Sequence, residues 1–123
     1  MAKVLIIESD EGTRYLYKTA ISFQQIQVET AESVSRAIEM IGSFKPSLVL
    51  LDIMTPDLKN IDLLKELKLR IEGSLPLIIL TDMREKDVQK EASIFGACEY
   101  LSKTESSVGD IIKKIRSVVK EDE

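Results

Sequence analysis

Histidine and tryptophan are absent from the 123 residues, and cysteine occurs once, as Cys98. Without histidine, zinc sites built on imidazole, Ser-His-Asp triads and histidine general bases are all excluded. A lone cysteine cannot close an internal disulfide and suits a reducing cytoplasm. Three prolines and five glycines are too few for a low-complexity or linker-rich chain. No apolar run approaches ~20 residues, so no membrane span is expected. The opening MAKVLII lacks the length and cleavage site of a signal peptide. There is no basic excess either. Seventeen Lys and Arg stand against 21 Asp and Glu, and the net charge of −4 is spread along the chain, which argues against direct nucleic-acid binding.

What is present is an ordinary globular balance, 44% hydrophobic and 31% charged, expected to form a single domain over residues 1–123 with one proper core. Short apolar runs alternate with longer amphipathic stretches five times. The predicted strands are Val4–Ile7, Ile26–Glu29, Leu48–Leu51, Leu77–Leu80 and Cys98–Leu101. The first, third and fourth are near-continuously apolar, as in parallel strands covered on both faces, and the other two are mixed, as nearer a sheet edge. Helical spacing joins Tyr15, Leu16, Thr19 and Ala20, then Val34, Ala37, Ile38 and Ile41, then Ile61, Leu64, Leu67 and Ile71. A fourth helix is marked by Val88, Ala92 and Phe95 with Gly96 as its stop, and a last one by Ile111, Ile112, Ile115 and Val119. Asp10 is placed to cap the first helix, and Ser107 with Asp110 has the spacing of a capping box. The KEDE tail reads as a frayed, solvated helix end. Strands alternating with helices imply right-handed crossovers and a flavodoxin-like, doubly wound five-stranded parallel sheet of order 2-1-3-4-5, with helices on both faces.

In such a sheet, sites form beyond the carboxyl ends of the strands at the switch point between strands one and three. Glu8, Ser9 and Asp10 follow strand one, and Asp52 ends the run VLL with no opposite charge near it in sequence. Thr81 and Asp82 follow strand four, and Ser102 and Lys103 follow strand five. An acid at a strand end is most often solvated and idle. Clustered carboxylates, however, repel one another unless a cation is present. Magnesium suits one or two carboxylates, a carbonyl and phosphate oxygens. An aspartate nucleophile can form an acyl phosphate, and phosphoryl transfer then needs positioning and charge neutralisation. The set is Asp52 as nucleophile, Glu8 and a carbonyl near Met54 for magnesium, and Thr81 and Lys103 as clamps. Read as exposed strand-end positions, Thr81 and Lys103 should each tolerate truncation within ~1 kcal/mol.

The stretches KVLIIESDEGTR (3–14), PSLVLLDIMTPDLKNIDLL (46–64), LPLIILTD (75–82) and FGACEYLSKT (95–104) together resemble a response-regulator receiver domain over essentially the whole chain. The resemblance implies a switch in a two-component relay rather than an enzyme. Asp52 matches the phosphoacceptor, Thr81 and Lys103 the phosphate-contacting pair, and Tyr100 the aromatic switch residue. Glu8 and Met54, the latter through its backbone carbonyl, match metal-site positions. The implied partners are a histidine kinase or phosphotransfer protein and a downstream protein target, in the cytoplasm, with no membrane and no direct nucleic-acid contact. The chain departs from the family pattern in four places. Ser9 stands where the second acid is usual, Thr104 where a proline is common, Asn60 where a glycine is usual and Asp82 where a small residue is usual. Ser9 predicts weak Mg2+ binding in the apo form. Asn60 is the next best residue for a left-handed turn, and a cis peptide after Lys103 is not expected.

Three alternatives stand beside this. A pseudo-receiver would use the same fold as an interaction module without phosphate. A flavodoxin-like cofactor binder would need a phosphate-cradling loop where ESDEGT stands. An aspartate phosphatase would need a second acid where Met54 stands.

Overall fold

The computed structural model describes residues 2–71, 75–82 and 99–119. Five parallel strands, β1 (Lys3–Ile7), β2 (Gln27–Ala31), β3 (Leu48–Asp52), β4 (Leu77–Thr81) and β5 (Glu99–Ser102), pair in the order β2-β1-β3-β4-β5. Among the described residues there are four α-helices: α1 (Glu11–Ser22), α2 (Val34–Phe44), α3 (Ile61–Ile71) and α4 (Val108–Val118). A 3-10 turn, Pro56–Lys59, precedes α3. The expected strand order is observed, with the two mixed strands at the edges. None of these helices is long and apolar enough to cross a membrane.

Strand alternation sorts the core into two layers. Val4, Ile6, Leu48, Leu50, Ile78 and Leu80 face Tyr17 and Ile21 of α1 and Ile111 and Ile115 of α4. Leu5, Ile7, Val49, Leu51, Leu77 and Ile79 face Val34 and Ala37 of α2 and Leu67 and Ile71 of α3. β3 and β4 are buried along their whole length. Their apolar side chains on both faces leave little freedom in register, since a slip of one residue would exchange the two layers.

Caps fix the helix starts where the sequence suggests. Asp10 accepts from Thr13 N at the start of α1, and Ser107 and Asp110 form a reciprocal capping box on α4. Hydrogen bonds from Thr13 hold the Asp10 carboxyl below its usual range, as those from Ser107 do for Asp110.

Several expectations are corrected. The buried face of α1 is Tyr17 and Ile21; Tyr15 and Leu16 are exposed, because helical spacing alone does not say which of two apolar stripes meets the sheet. Ile61 is also exposed, at the first turn of α3. Asn60 has φ −77° and is extended, not left-handed. Its Oδ1 accepts from Asp62 N and Leu63 N, so it serves as a cap that glycine could not supply. Left-handed φ occurs instead at Gln25 and at Lys45, the residue that ends α2. The Lys103–Thr104 peptide is trans, as expected. The expected helix at Val88, Ala92 and Phe95 with its stop Gly96, together with Cys98 and the KEDE tail, lies outside the described residues.

Candidate functional site

β1 and β3 are direct neighbours, with Ile7 level with Leu51. One step further along both chains sets Glu8 beside Asp52. Both continue the alternation of Val4, Ile6, Leu48 and Leu50, so both carboxylates turn to the face covered by α1 and α4. Glu8 is only 2% exposed and Asp52 only 6%. Asp52 is thus the last residue of β3 rather than the first beyond it.

Two buried acids side by side require a counter-charge. Lys103, one residue past β5, supplies it. Its Nζ donates to Asp52 Oδ2 at 2.9 Å and also to Glu8 Oε1. The remaining oxygens are engaged by backbone, Asp52 Oδ1 by Met54 N at 2.9 Å and Glu8 Oε2 by Asp10 N at 3.0 Å. Asp52, bare in the sequence, is therefore paired in the fold.

The flanking residues fall into two groups. Thr81, the last residue of β4, is buried, and its carbonyl accepts from Lys103 N at 2.9 Å. By alternation with Leu77 and Ile79 it belongs to the α2 and α3 face. Tyr100 pairs with Ile79, is half-buried and packs against that same layer. The structure therefore gathers Glu8, Asp52 and Lys103 on one face, with Met54 at the edge and Thr81 and Tyr100 on the other. Ser9 and Asp82 are exposed. The Asp10 carboxylate is held by Thr13, away from Asp52, as its capping role implies. Thr81 and Lys103 are not the exposed positions that their place in the sequence suggests, so truncation at either should cost more than the ~1 kcal/mol expected for surface sites.

Three contributors escape a reading of the sequence. Arg14 donates to the carbonyls of Glu8 and Ser9, both at 2.9 Å, and fixes the turn that presents Glu8. Thr55 Oγ1 donates to Asp52 O at 2.7 Å. Asp57 accepts from two backbone amides of α2. For Thr55 the local signal is a hydroxyl three residues after the key acid; Arg14 and Asp57 have none.

The residues present suit a hard divalent cation. Two buried carboxylates face a single ammonium, leaving an excess negative charge, and every donor is oxygen. Glu8, Asp52 and the Met54 carbonyl are the groups that would hold it. Among the described residues no group of three or more acidic or cysteine side chains is placed so that it could hold a metal ion, so such a site would rest on two carboxylates and a carbonyl.

Burial opposes the charge on Lys103, but hydrogen bonds and Coulombic attraction from Glu8 and Asp52 outweigh it and raise the ammonium above its ordinary value of 10.5. The contribution of Lys103 to stability is therefore complete below pH 10.5 and is lost as pH climbs through the raised folded-state value. Lys103→Met leaves the two acids unneutralised. Because Lys103 is partly exposed, the expected cost at pH 7 is about 1–3 kcal/mol, below that of a fully buried pair. Urea denaturation should show this loss and its partial recovery with millimolar Mg2+. A variant as stable as the native chain would mean that Lys103 does not neutralise the pair.

A family model described as the response regulator receiver domain matches residues 4–116. Among curated proteins, the KDP operon transcriptional regulatory protein of Escherichia coli is 30% identical over 94% of this chain and 50% of its own length. Sporulation initiation phosphotransferase F of Bacillus subtilis is 29% identical over 91% of both chains. The chain spans about half or less of the length of the first few relatives it matches. Among solved structures, the BeF3-activated N-terminal receiver domain of Klebsiella pneumoniae RstA superposes with a TM-score of 0.81 at 26% identity, covering 97% of this chain and 99% of that one. A CheY-like receiver domain protein from Methanospirillum hungatei gives 0.80 at 25%, covering 96% and 93%. With parallel strands in the order β2-β1-β3-β4-β5 and an acid–lysine cluster at the switch point, the chain belongs to the receiver domain family of two-component response regulators.

Proposed function

We propose that this receiver domain accepts a phosphoryl group on Asp52 from a histidine kinase or phosphotransfer protein and signals through protein–protein contact. Receiver domains are typically signalling switches rather than enzymes, and they generally bind Mg2+ at the phosphorylation site. The observation that carries the reading is the Lys103 ammonium, 2.9 Å from Asp52 Oδ2 and shared with Glu8. It is a cation already at the reacting oxygen and free to exchange a carboxylate for a phosphoryl oxygen.

The 123 residues contain no histidine, so the donor phosphohistidine lies outside them. In the transfer, an Asp52 oxygen forms the new O–P bond while the N–P bond to the donor imidazole breaks and that nitrogen keeps the electron pair. Lys103 and the Thr81 hydroxyl hold phosphoryl oxygens. Bound Mg2+ supplies further neutralisation of the phosphoryl charge. The cytoplasm suits the single cysteine.

A small acyl phosphate with Mg2+ should add one phosphoryl mass to the native chain and none to Asp52→Asn. An equal adduct on both, read by intact mass, removes Asp52 from this role.

Ser9 favours a second reading, the pseudo-receiver. A hydroxyl cannot offset the charge of a metal, and magnesium gives up its waters reluctantly. We infer weak Mg2+ binding in the apo form. Ser9→Asp should tighten it and speed phosphorylation, measured by calorimetry and by the same mass assay. Equal Mg2+ affinity in the two forms would show that another group supplies the ligand. A chain that takes no phosphoryl group in either form would support the pseudo-receiver.

For the output we propose a two-state shift in which Thr81 moves toward the phosphoryl group and Tyr100 turns inward. The signalling surface would comprise β5, α4 and the expected helix at Val88, Ala92 and Phe95. Beryllofluoride, a phosphoryl mimic, should alter hydrogen exchange between residues 82 and 110. Changes confined to α2 would contradict this.

A further inference from the structure

The loop that follows Asp52 is secured mostly from within. Thr55 N and Thr55 Oγ1 donate to Asp52 O, Leu58 N to Thr55 O, and Asn60 N to Asp57 O. Ile53 N, bonded to Leu80 O, ties the start of the loop to the sheet. The far part of the loop has a different tether. Asp57 Oδ1 accepts from Val34 N at 2.8 Å, and Oδ2 from Ser35 N at 3.0 Å. These are the first two residues of α2, whose amides have no partner inside the helix.

The arrangement divides the α2 start between two caps. The hydroxyl of the local cap, Ser33, accepts from Arg36 N, and its carbonyl accepts from Ala37 N. The first turn of α2 has no acid of its own. Asp57 brings in the missing negative charge from 22 residues away, through two charge-assisted bonds to the positive end of the helix. Its side chain is directed to α2, so it does not share the Asp52 cluster.

We propose that Asp57 is a positioning residue, which holds the loop of residues 53–60 against α2 and thereby sets the geometry around Asp52. The chain of contacts is continuous. Asp57 anchors the Pro56–Lys59 turn, Leu58 N in that turn bonds Thr55 O, and Thr55 bonds Asp52 O. Met54, between them, gives its amide to Asp52 Oδ1 and carries the carbonyl proposed as a metal ligand. A slack loop loosens both. The consequence for reactivity rests on Asp52 being the phosphoacceptor.

The test compares Asp57→Ala, Asp57→Asn and Ser33→Ala in the full chain. Both alanine variants remove a cap from the same helix, but only one releases the loop. Asp57→Ala should raise amide exchange across residues 53–60 and slow phosphorylation by acetyl phosphate roughly tenfold, the scale seen when a group orienting a site residue is lost. Asp57→Asn, which keeps one acceptor oxygen, should fall between it and the native chain. Ser33→Ala should leave loop exchange and rate unchanged while lowering the stability of α2. Unchanged loop exchange in Asp57→Ala, or an equal change in Ser33→Ala, overturns the proposal. If the native chain takes no phosphoryl group, the reading of Asp52 falls, and loop exchange alone decides the role of Asp57.

Discussion

One ammonium shared by two buried carboxylates holds the centre of this molecule. Glu8 and Asp52 lie at adjacent strand ends because β1 and β3 are neighbours in register. Such a pair is costly where water is scarce, since Coulomb repulsion grows as the dielectric falls. Lys103 makes it tolerable by bonding both acids. The other contacts at the sheet edge maintain that three-way meeting. Arg14 shapes the turn after β1, Thr81 O receives the Lys103 amide, and Thr55 closes the turn after β3.

The strand pleat sets the acid–lysine cluster and the Thr81–Tyr100 pair on different faces. Glu8, Asp52 and Lys103 follow the alternation of the α1 and α4 layer, while Thr81 and Tyr100 follow that of the α2 and α3 layer. Thr81 joins the two. Its backbone carbonyl touches the lysine segment, and its side chain belongs with Ile79, the strand partner of Tyr100. Hydrogen bonds and the β4 backbone thus connect the acid–lysine cluster to the face on which Tyr100 packs.

Much of this was legible in residue order. The runs VLII, LVLL and LIIL announce strands buried on both faces, and their alternation with helical stripes suffices for strand order and hence for the switch point. Asp52 and Glu8 could be named because each follows directly on such a run, and Lys103 because it follows the mixed fifth strand. The face of α1 could not, because Tyr15 and Leu16 make as good a stripe as Tyr17 and Ile21, and only contact with the sheet decides between them. The conformation of Asn60 is not legible in the sequence, because a side-chain cap and a left-handed turn favour the same residue type. Long-range electrostatic ties leave no local mark at all, as with Asp57 and α2, or Lys103 and Glu8, 95 residues apart.

That last separation bears on the order in which the molecule can be assembled. During synthesis from the amino end, both acids are made long before the lysine. A ribosome-bound segment ending short of residue 99 could pair β1 with β3, yet it would bring Glu8 and Asp52 together with no β5 and no Lys103 to accompany them. Of the three charged members of the pocket, the neutralising one arrives last, so the acidic centre is complete only when the edge strand is laid down.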